Sequence, residues 1–204
     1  MGSATGPSER GSITKSMGYA LLTLVAAAGL SIALHTLVTG ISPMPSSRRA
    51  RRAMLALLPA EVEGVVLELG AGWGTLALPL ARRYPVSRVV AVELSPVPWL
   101  VCRLRRAWSG LANLEVRRSD IHRMPLGDAG LVICYLYPGA MERLRPRLER
   151  ELPRGCLVFS NCFRVPGWRP SRVVPFAGWF GEEMYLYRVP DAFLDLELPL
   201  PRRA

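Results

Sequence analysis

Ten residues, Val65-Val-Leu-Glu-Leu-Gly-Ala-Gly-Trp-Gly74, end an apolar run in the pattern Glu68-x-Gly70-x-Gly72-x-Gly74. Glycines at such a point let the backbone turn sharply and come close to a ligand. A helix read onward from 74 to 83 would add the positive potential of its N-terminus, which suits a carboxylate. The spacing is G-x-G-x-G rather than G-x-G-x-x-G, which argues against a nicotinamide dinucleotide. Two further acids extend the pattern. Glu93 closes the next apolar run, 88–94, about 25 residues later, and Asp120 closes a third, 114–120. An acid after the second strand can accept both hydroxyls of a ribose. One after the third can meet the amino group of an adenine. Three acids at three successive strand ends therefore point to an adenosine-bearing ligand more strongly than the glycines do. The competing reading is a nucleotide-free α/β domain whose carboxylates cap loops.

A second set of residues follows the fourth and fifth apolar runs. Tyr135 and Tyr137 precede Pro138, and Asn161 and Phe163 close the run 156–163. Aromatic walls hold a cationic or methylated amine against their π faces, and an amide oxygen accepts its N–H. Tyr135 and Tyr137 are read as pocket walls and Asn161 as the amide contact, with plain core packing as the alternative. His122 reads as a loop residue close to Asp120, and Arg103, Arg105 and Arg106 as a solvated helix face. The four cysteines, Cys102, Cys134, Cys156 and Cys162, have no CxxC spacing. They read as buried reduced thiols, with no metal site and no disulfide framework.

Positioning these residues requires alternating strands and helices. The runs 65–69, 88–94, 114–120, 131–137, 156–163 and 183–189 read as strands. A helix capped by Ser46 or Ser47 and running to about Leu58 comes first. Helices over 74–83, from Ser95-Pro96 to Gly110, and over 140–152 separate the strands. Continuous apolar strands alternating with helices mean an α/β fold with a parallel sheet covered on both faces.

At this point the sequence resembles a known family. Glu93-Leu-Ser-Pro-Val-Pro-Trp-Leu-Val, then Arg103-Leu-Arg-Arg-Ala-Trp108, is similar to membrane-anchored class I methyltransferases. So is the stretch YLYPGAMERLRPRLERELPRGCLVFSNCFRVPGW at 135–168. That family includes the mitochondrial lysine methyltransferases of the ATP synthase c subunit and of the adenine nucleotide translocase, and the resemblance covers about residues 41–189. It implies a seven-stranded, Rossmann-like class I methyltransferase sheet with a reversed last strand and helices on both faces, S-adenosylmethionine as cofactor, and Glu68, Gly70, Gly72, Glu93 and Asp120 as its contacts. Ala71, Gly74 and Leu94 complete the expected cofactor-binding set. The chain departs from the family at Met44-Pro-Ser-Ser47, where a Pro-Thr-Pro-like segment is usual, and at Trp73, where a small acidic residue is usual. Trp73 either covers the cofactor or packs.

Upstream lies a run of 21 nearly uncharged residues, Gly18 to Val38. As a helix it would be roughly 30 Å long, enough for a bilayer core. The resulting organisation is a disordered tail (1–16), a transmembrane helix (17–39), a basic juxtamembrane linker and helix (40–58), a methyltransferase domain (59–190) and a C-terminal tail (191–204). Arg48, Arg49, Arg51 and Arg52 after the span outnumber the cations before it, so the positive-inside bias puts the catalytic domain in the cytoplasm of a single-pass membrane protein. The same arginines face anionic headgroups.

The net charge of +10 favours anionic partners. Lys15 is the only lysine, however, and such an arginine bias weakens the case for nucleic-acid recognition. No nucleic-acid partner is expected, and no Asn-Pro-Pro-Tyr motif is present; the matching position reads Tyr135-Leu-Tyr-Pro138. The expected function is lysine N-methylation of a membrane protein at the lipid surface. A lipid or membrane-soluble small molecule as acceptor, and a non-catalytic module that binds S-adenosylmethionine, are the alternatives. Neither the acceptor's identity nor the oligomeric state is legible in the sequence.

Overall fold

The structure is a computed structural model that describes residues 16–23, 25–26, 28–31, 48–175 and 183–191. The chain divides into two compact units, Met1–Ser42 and Pro43–Ala204. In the first unit the described residues are helical, and Met17, Tyr19, Leu21, Leu22, Val25 and Leu30 are exposed. Part of the apolar run, residues 24, 27 and 32–38, lies outside the described residues, as do Ser46 and Ser47. Among the described residues, no helix is long and apolar enough to cross a membrane.

The second unit is a seven-stranded sheet. Its strands are β1 (Val65–Leu69), β2 (Val89–Glu93), β3 (Leu114–Arg118), β4 (Ala129–Cys134), β5 (Leu157–Asn161), β6 (Arg172–Pro175) and β7 (Glu183–Arg188), in the spatial order β3-β2-β1-β4-β5-β7-β6. The first five are parallel, and β7 runs antiparallel to both β5 and β6. This is the reversed last strand that the resemblance implies. The order reverses direction at β1 and β4, so a crevice opens at the C-terminal tips of those strands, where ligands of open α/β sheets bind.

Among the described residues, four helices accompany the sheet: α1 (Arg48–Leu57), α2 (Ala77–Arg83), α3 (Pro96–Ser109) and α4 (Pro138–Glu151). The sequence set α1 apart as part of a basic linker. Met54 within it and Leu58 just after it are buried in the same apolar cluster as Leu80, Ala91, Cys102, Ile133 and Phe159, so α1 covers the sheet. β1 and β2 are buried almost throughout because both faces are covered.

Element ends differ from the sequence reading for local reasons. α2 starts at Ala77 rather than at residue 74, because residues 72–76 form turns around Gly72 and Gly74, whose φ values are +53° and +70°. β3 stops at Arg118, since Asp120 caps a 3-10 turn over Ile121–Arg123 by accepting the His122 N–H at 2.9 Å. β4 stops at Cys134; Pro138 forces the residue before it out of the helical region and opens α4 as its first residue. β5 stops at Asn161 because Cys162 turns the chain with φ +66°. β6, an edge strand whose residues are mostly exposed, had no apolar signature to betray it.

Candidate active site

Glu93 binds the two loops at the crevice together. Its Oε2 accepts the Gly72 N–H at 2.8 Å and its Oε1 accepts the Ser95 N–H at 2.7 Å. The carboxylate at the tip of β2 thus fixes both the glycine turn after β1 and the entry to α3. Each oxygen retains a second lone pair for a ligand hydroxyl. The sequence identified Glu93 but gave no sign of this scaffolding role.

Glu68 sits level with Ala91 of β2 and Ile133 of β4 and is 6% exposed. Among the described residues its Oε2 has no hydrogen-bond partner, although it is buried. Burial first, and then the Glu93 carboxylate, push its pKa up to about 8. An unpartnered buried carboxylate at a strand tip is a site prepared for a cation or a donor.

The glycines divide into two kinds. A Cβ on Gly72 would meet none of the described residues within 4 Å, so this residue is needed for its φ of +53°. A Cβ on Gly74 would lie 2.5 Å from Cys102 Sγ, so Gly74 lets the turn close on α3. Gly70, with φ +83°, sits against Leu136. Gly70 and Ala71 both donate their N–H to Val92 O at 2.9 Å, which ties the turn to β2. The sequence reading placed a helix N-terminus beside these glycines; instead, α2 is seven residues long and begins beyond the turn, so open turn backbone takes that place. Arg105 donates to the Trp73 carbonyl at 3.0 Å, and Arg106 to the Leu114 carbonyl at 3.0 Å. Arg103 lies over the Trp99 ring at 5.4 Å. Arg105 and Arg106, read as part of a solvated face, are therefore structural ties to backbone carbonyls, whereas Arg103 is exposed as that reading expected.

Leu94, 41% exposed, lies directly after Glu93 and offers an apolar surface at the crevice. Asp120 is half-buried, and its Oδ1 is engaged by the His122 N–H. The His122 carbonyl accepts a bond from Arg147, so this loop is fastened to α4.

On the other side of the crevice, Cys134 of β4 pairs in register with Ser160 of β5, and Tyr135 and Asn161 are the next residue of each chain segment. Asn161 is 3% exposed and its Oδ1 has no partner among the described residues. The half-buried Tyr135 ring stacks with Phe163 at 6.1 Å between centroids. Ser160 Oγ donates to the Phe163 carbonyl at 2.5 Å and holds that turn. Tyr137 is turned to a different task. Its hydroxyl accepts from Arg143 at 2.6 Å, and the same guanidinium lies 5.6 Å over its ring. Trp168 is buried, donates to Glu149 at 2.8 Å and packs edge-on against Tyr187. The structure thus brings Tyr135, Asn161 and Phe163 together and draws Tyr137 toward α4.

Cys102, Cys134 and Cys156 are buried, and burial pushes each thiol up to about 12, which excludes them as thiolate nucleophiles near neutral pH. The crevice therefore offers ligand contacts on one side, an orphan amide oxygen beside stacked aromatic rings on the other, and no nucleophile of its own among these thiols. The residues present fit S-adenosylmethionine. Glu68 Oε2 can receive its ammonium, Glu93 its ribose hydroxyls, and the space beside Gly72 its body.

Comparison with known proteins bears on this geometry. Residues 68–172 match the family described as the ANTKMT methyltransferase domain. A protein-lysine N-methyltransferase of Saccharolobus islandicus (strain REY15A) is 28% identical over 158 residues, covering 72% of this chain and 93% of the relative. The adenine nucleotide translocase lysine N-methyltransferase of Mus musculus is 31% identical over 166 residues, covering 73% of this chain and 71% of the relative. Among solved structures, an RNA methyltransferase from Salinibacter ruber in complex with S-adenosyl-L-homocysteine is 27% identical, with a TM-score of 0.66, covering 78% of this chain and 98% of that one.

Proposed function

The chain belongs to the ANTKMT methyltransferase family and is an S-adenosylmethionine-dependent methyltransferase, and we propose that it methylates the side-chain amine of lysine in a membrane protein. The observation that carries the acceptor reading is the buried Asn161 Oδ1, unpartnered among the described residues, at the end of β5 and two residues before Phe163, whose ring stacks on Tyr135. An amide oxygen there can accept one N–H of an incoming amine and point its lone pair toward the crevice. The aromatic faces favour a cationic head as it arrives. Burial then favours loss of the proton, which a lysine amine of ordinary pKa about 10.4 must shed before it can attack.

When bound, S-adenosylmethionine supplies an electrophilic methyl on a sulfonium. Glu68 and Glu93 would hold it, and its sulfonium would give up the methyl and keep the carbon–sulfur electron pair as a neutral amine nitrogen takes that carbon. What this chain contributes is position. Glu93 and Glu68 hold the donor end, while Asn161 and the aromatic pair hold the acceptor. In-line proximity of that kind supplies most of the acceleration in a direct displacement.

The membrane part of the proposal rests on residues 18–38 and the arginines at 48, 49, 51 and 52. These would tether the catalytic unit to the cytoplasmic leaflet, within reach of membrane-embedded acceptors. The test is to incubate the full chain with methyl-labelled S-adenosylmethionine and native membranes, then separate protein, organic extract and RNA. Label in protein bands, stable to nuclease, is the expected result. Label confined to the organic extract, or released by nuclease, refutes lysine methylation in favour of a lipid or RNA acceptor.

A further inference from the structure

The outward side of α3 has an unusual surface. The helix turns Pro98 and Cys102 into the core. On its opposite side Leu100 is 48% exposed, Leu104 44% and Trp108 83%. These three stand at i, i+4 and i+8, in one row along the helix, about 12 Å long at 1.5 Å per residue. Isolated exposed apolar residues are ordinary on soluble proteins. A tryptophan and two leucines in a single row on the solvent side of a surface helix are not scattered.

Two observations say what chemistry covers this row. Arg103, on the same side, is exposed and lies over the Trp99 ring, so a cation flanks the apolar row. α1, which carries Arg51 and Arg52, packs with α3 into one apolar cluster through Met54 and Cys102, so both helices cover the same face of the sheet. Leucine and tryptophan beside arginine is the composition of a helix that lies in a membrane–water interface, and the chain's charge of +10 complements an anionic leaflet.

We propose that α3 is a lipid-docking surface: Leu100, Leu104 and Trp108 enter the headgroup boundary of an anionic bilayer, with the exposed Arg52 of α1 and Arg103 of α3 on lipid phosphates. This rests on the membrane location proposed above and adds an orientation to it. A helix that crosses over between two parallel strands runs antiparallel to them. With α3 lying flat on the lipid, the strands also lie parallel to the surface. The crevice at the tips of β1 and β4 then opens sideways along the bilayer, toward lysines at the lipid–water boundary.

The experiment reconstitutes the full chain into vesicles of equal parts phosphatidylcholine and phosphatidylglycerol. One set carries acyl chains brominated near the headgroup, and the tryptophan emission of wild type is compared with that of Trp108→Phe. Flotation and S-adenosylmethionine affinity are measured on the same samples, and unchanged affinity establishes that the variant is folded. The expected result is bromine quenching in wild type and loss of most of the quenched component in the variant. A chain that floats with the vesicles but whose quenching is unchanged by the substitution overturns the docking surface and leaves the membrane location standing. A chain that fails to float contradicts both. Quenching absent together with a dimer that Leu104→Glu dissociates assigns the row to a second copy and also overturns the proposal.

Discussion

Glu93→Ala should cost the protein its cofactor before it costs the protein its fold. The carboxylate is 9% exposed and accepts two backbone N–H bonds, from Gly72 at 2.8 Å and Ser95 at 2.7 Å. Two lone pairs remain for the two ribose hydroxyls. A hydrogen bond to a charged acceptor contributes about 1.5–3 kcal/mol, so losing both ribose bonds removes about 3–6 kcal/mol. At about 1.4 kcal/mol per factor of ten, affinity for S-adenosylmethionine falls by roughly two to four orders of magnitude. Losing the two backbone bonds adds a stability cost of about 1–3 kcal/mol, which a domain of this size survives. Titration calorimetry with S-adenosylhomocysteine measures the first number and urea unfolding the second. Glu93→Gln should fall between, because its NH2 group meets a backbone donor where the carboxylate had an acceptor. A folded alanine variant with undiminished affinity would refute the assignment of Glu93 to the ribose.

Other substitutions probe separate parts of the site. Burial and Glu93 raise the Glu68 pKa to about 8, above its ordinary value of 4.5. The ligand-free fold therefore holds a proton that the unfolded chain has lost between those values. Stability should fall across that window as pH rises, by up to about 1.4 kcal/mol per unit. Thermal unfolding of Glu68→Gln should lose this slope; an identical slope in both proteins would place the proton elsewhere. Gly74→Ala should destabilise by about 2–3 kcal/mol, since its Cβ meets Cys102 Sγ at 2.5 Å and φ is +70°. Gly72→Ala, with open space around its Cβ, should lose only about 1–2 kcal/mol. Adding Cys102→Ala should recover the steric part at Gly74 alone, which a double-mutant cycle in urea reads directly. Asn161→Ala should lower kcat about ten- to a hundredfold with cofactor affinity unchanged, because its Oδ1 has no partner among the described residues to lose.

Much of the fold was legible because buried parallel strands are written as unbroken apolar runs. Val65–Leu69 and Val89–Glu93 could be little else. Glu93 was legible because it closes such a run, whereas Asp120 lies two residues beyond β3 and caps a 3-10 turn. Contacts between distant segments were hidden. Nothing in the spacing of Arg105 and Trp73 foretells their bond, and Gly74 gives no hint that Cys102 is what it makes room for. β6 escaped notice because an exposed edge strand needs no apolar alternation. Tyr137 looked equivalent to Tyr135 in the sequence. Only the placement of Arg143, one helical turn and a half along α4, separates their tasks.

If a crevice closed by Glu93 and Glu68 on one side and Asn161 on the other delivers a methyl group to a lysine nitrogen, the product must be found on lysine. Tandem mass spectrometry of membranes treated with wild type, with Glu93→Ala as the control, reads this out. Methyl groups on lysine side chains of one or a few membrane proteins are expected, present with wild type and missing with the variant. Methyl groups on any other atom, or lysine methylation that persists with the variant, would contradict the assignment.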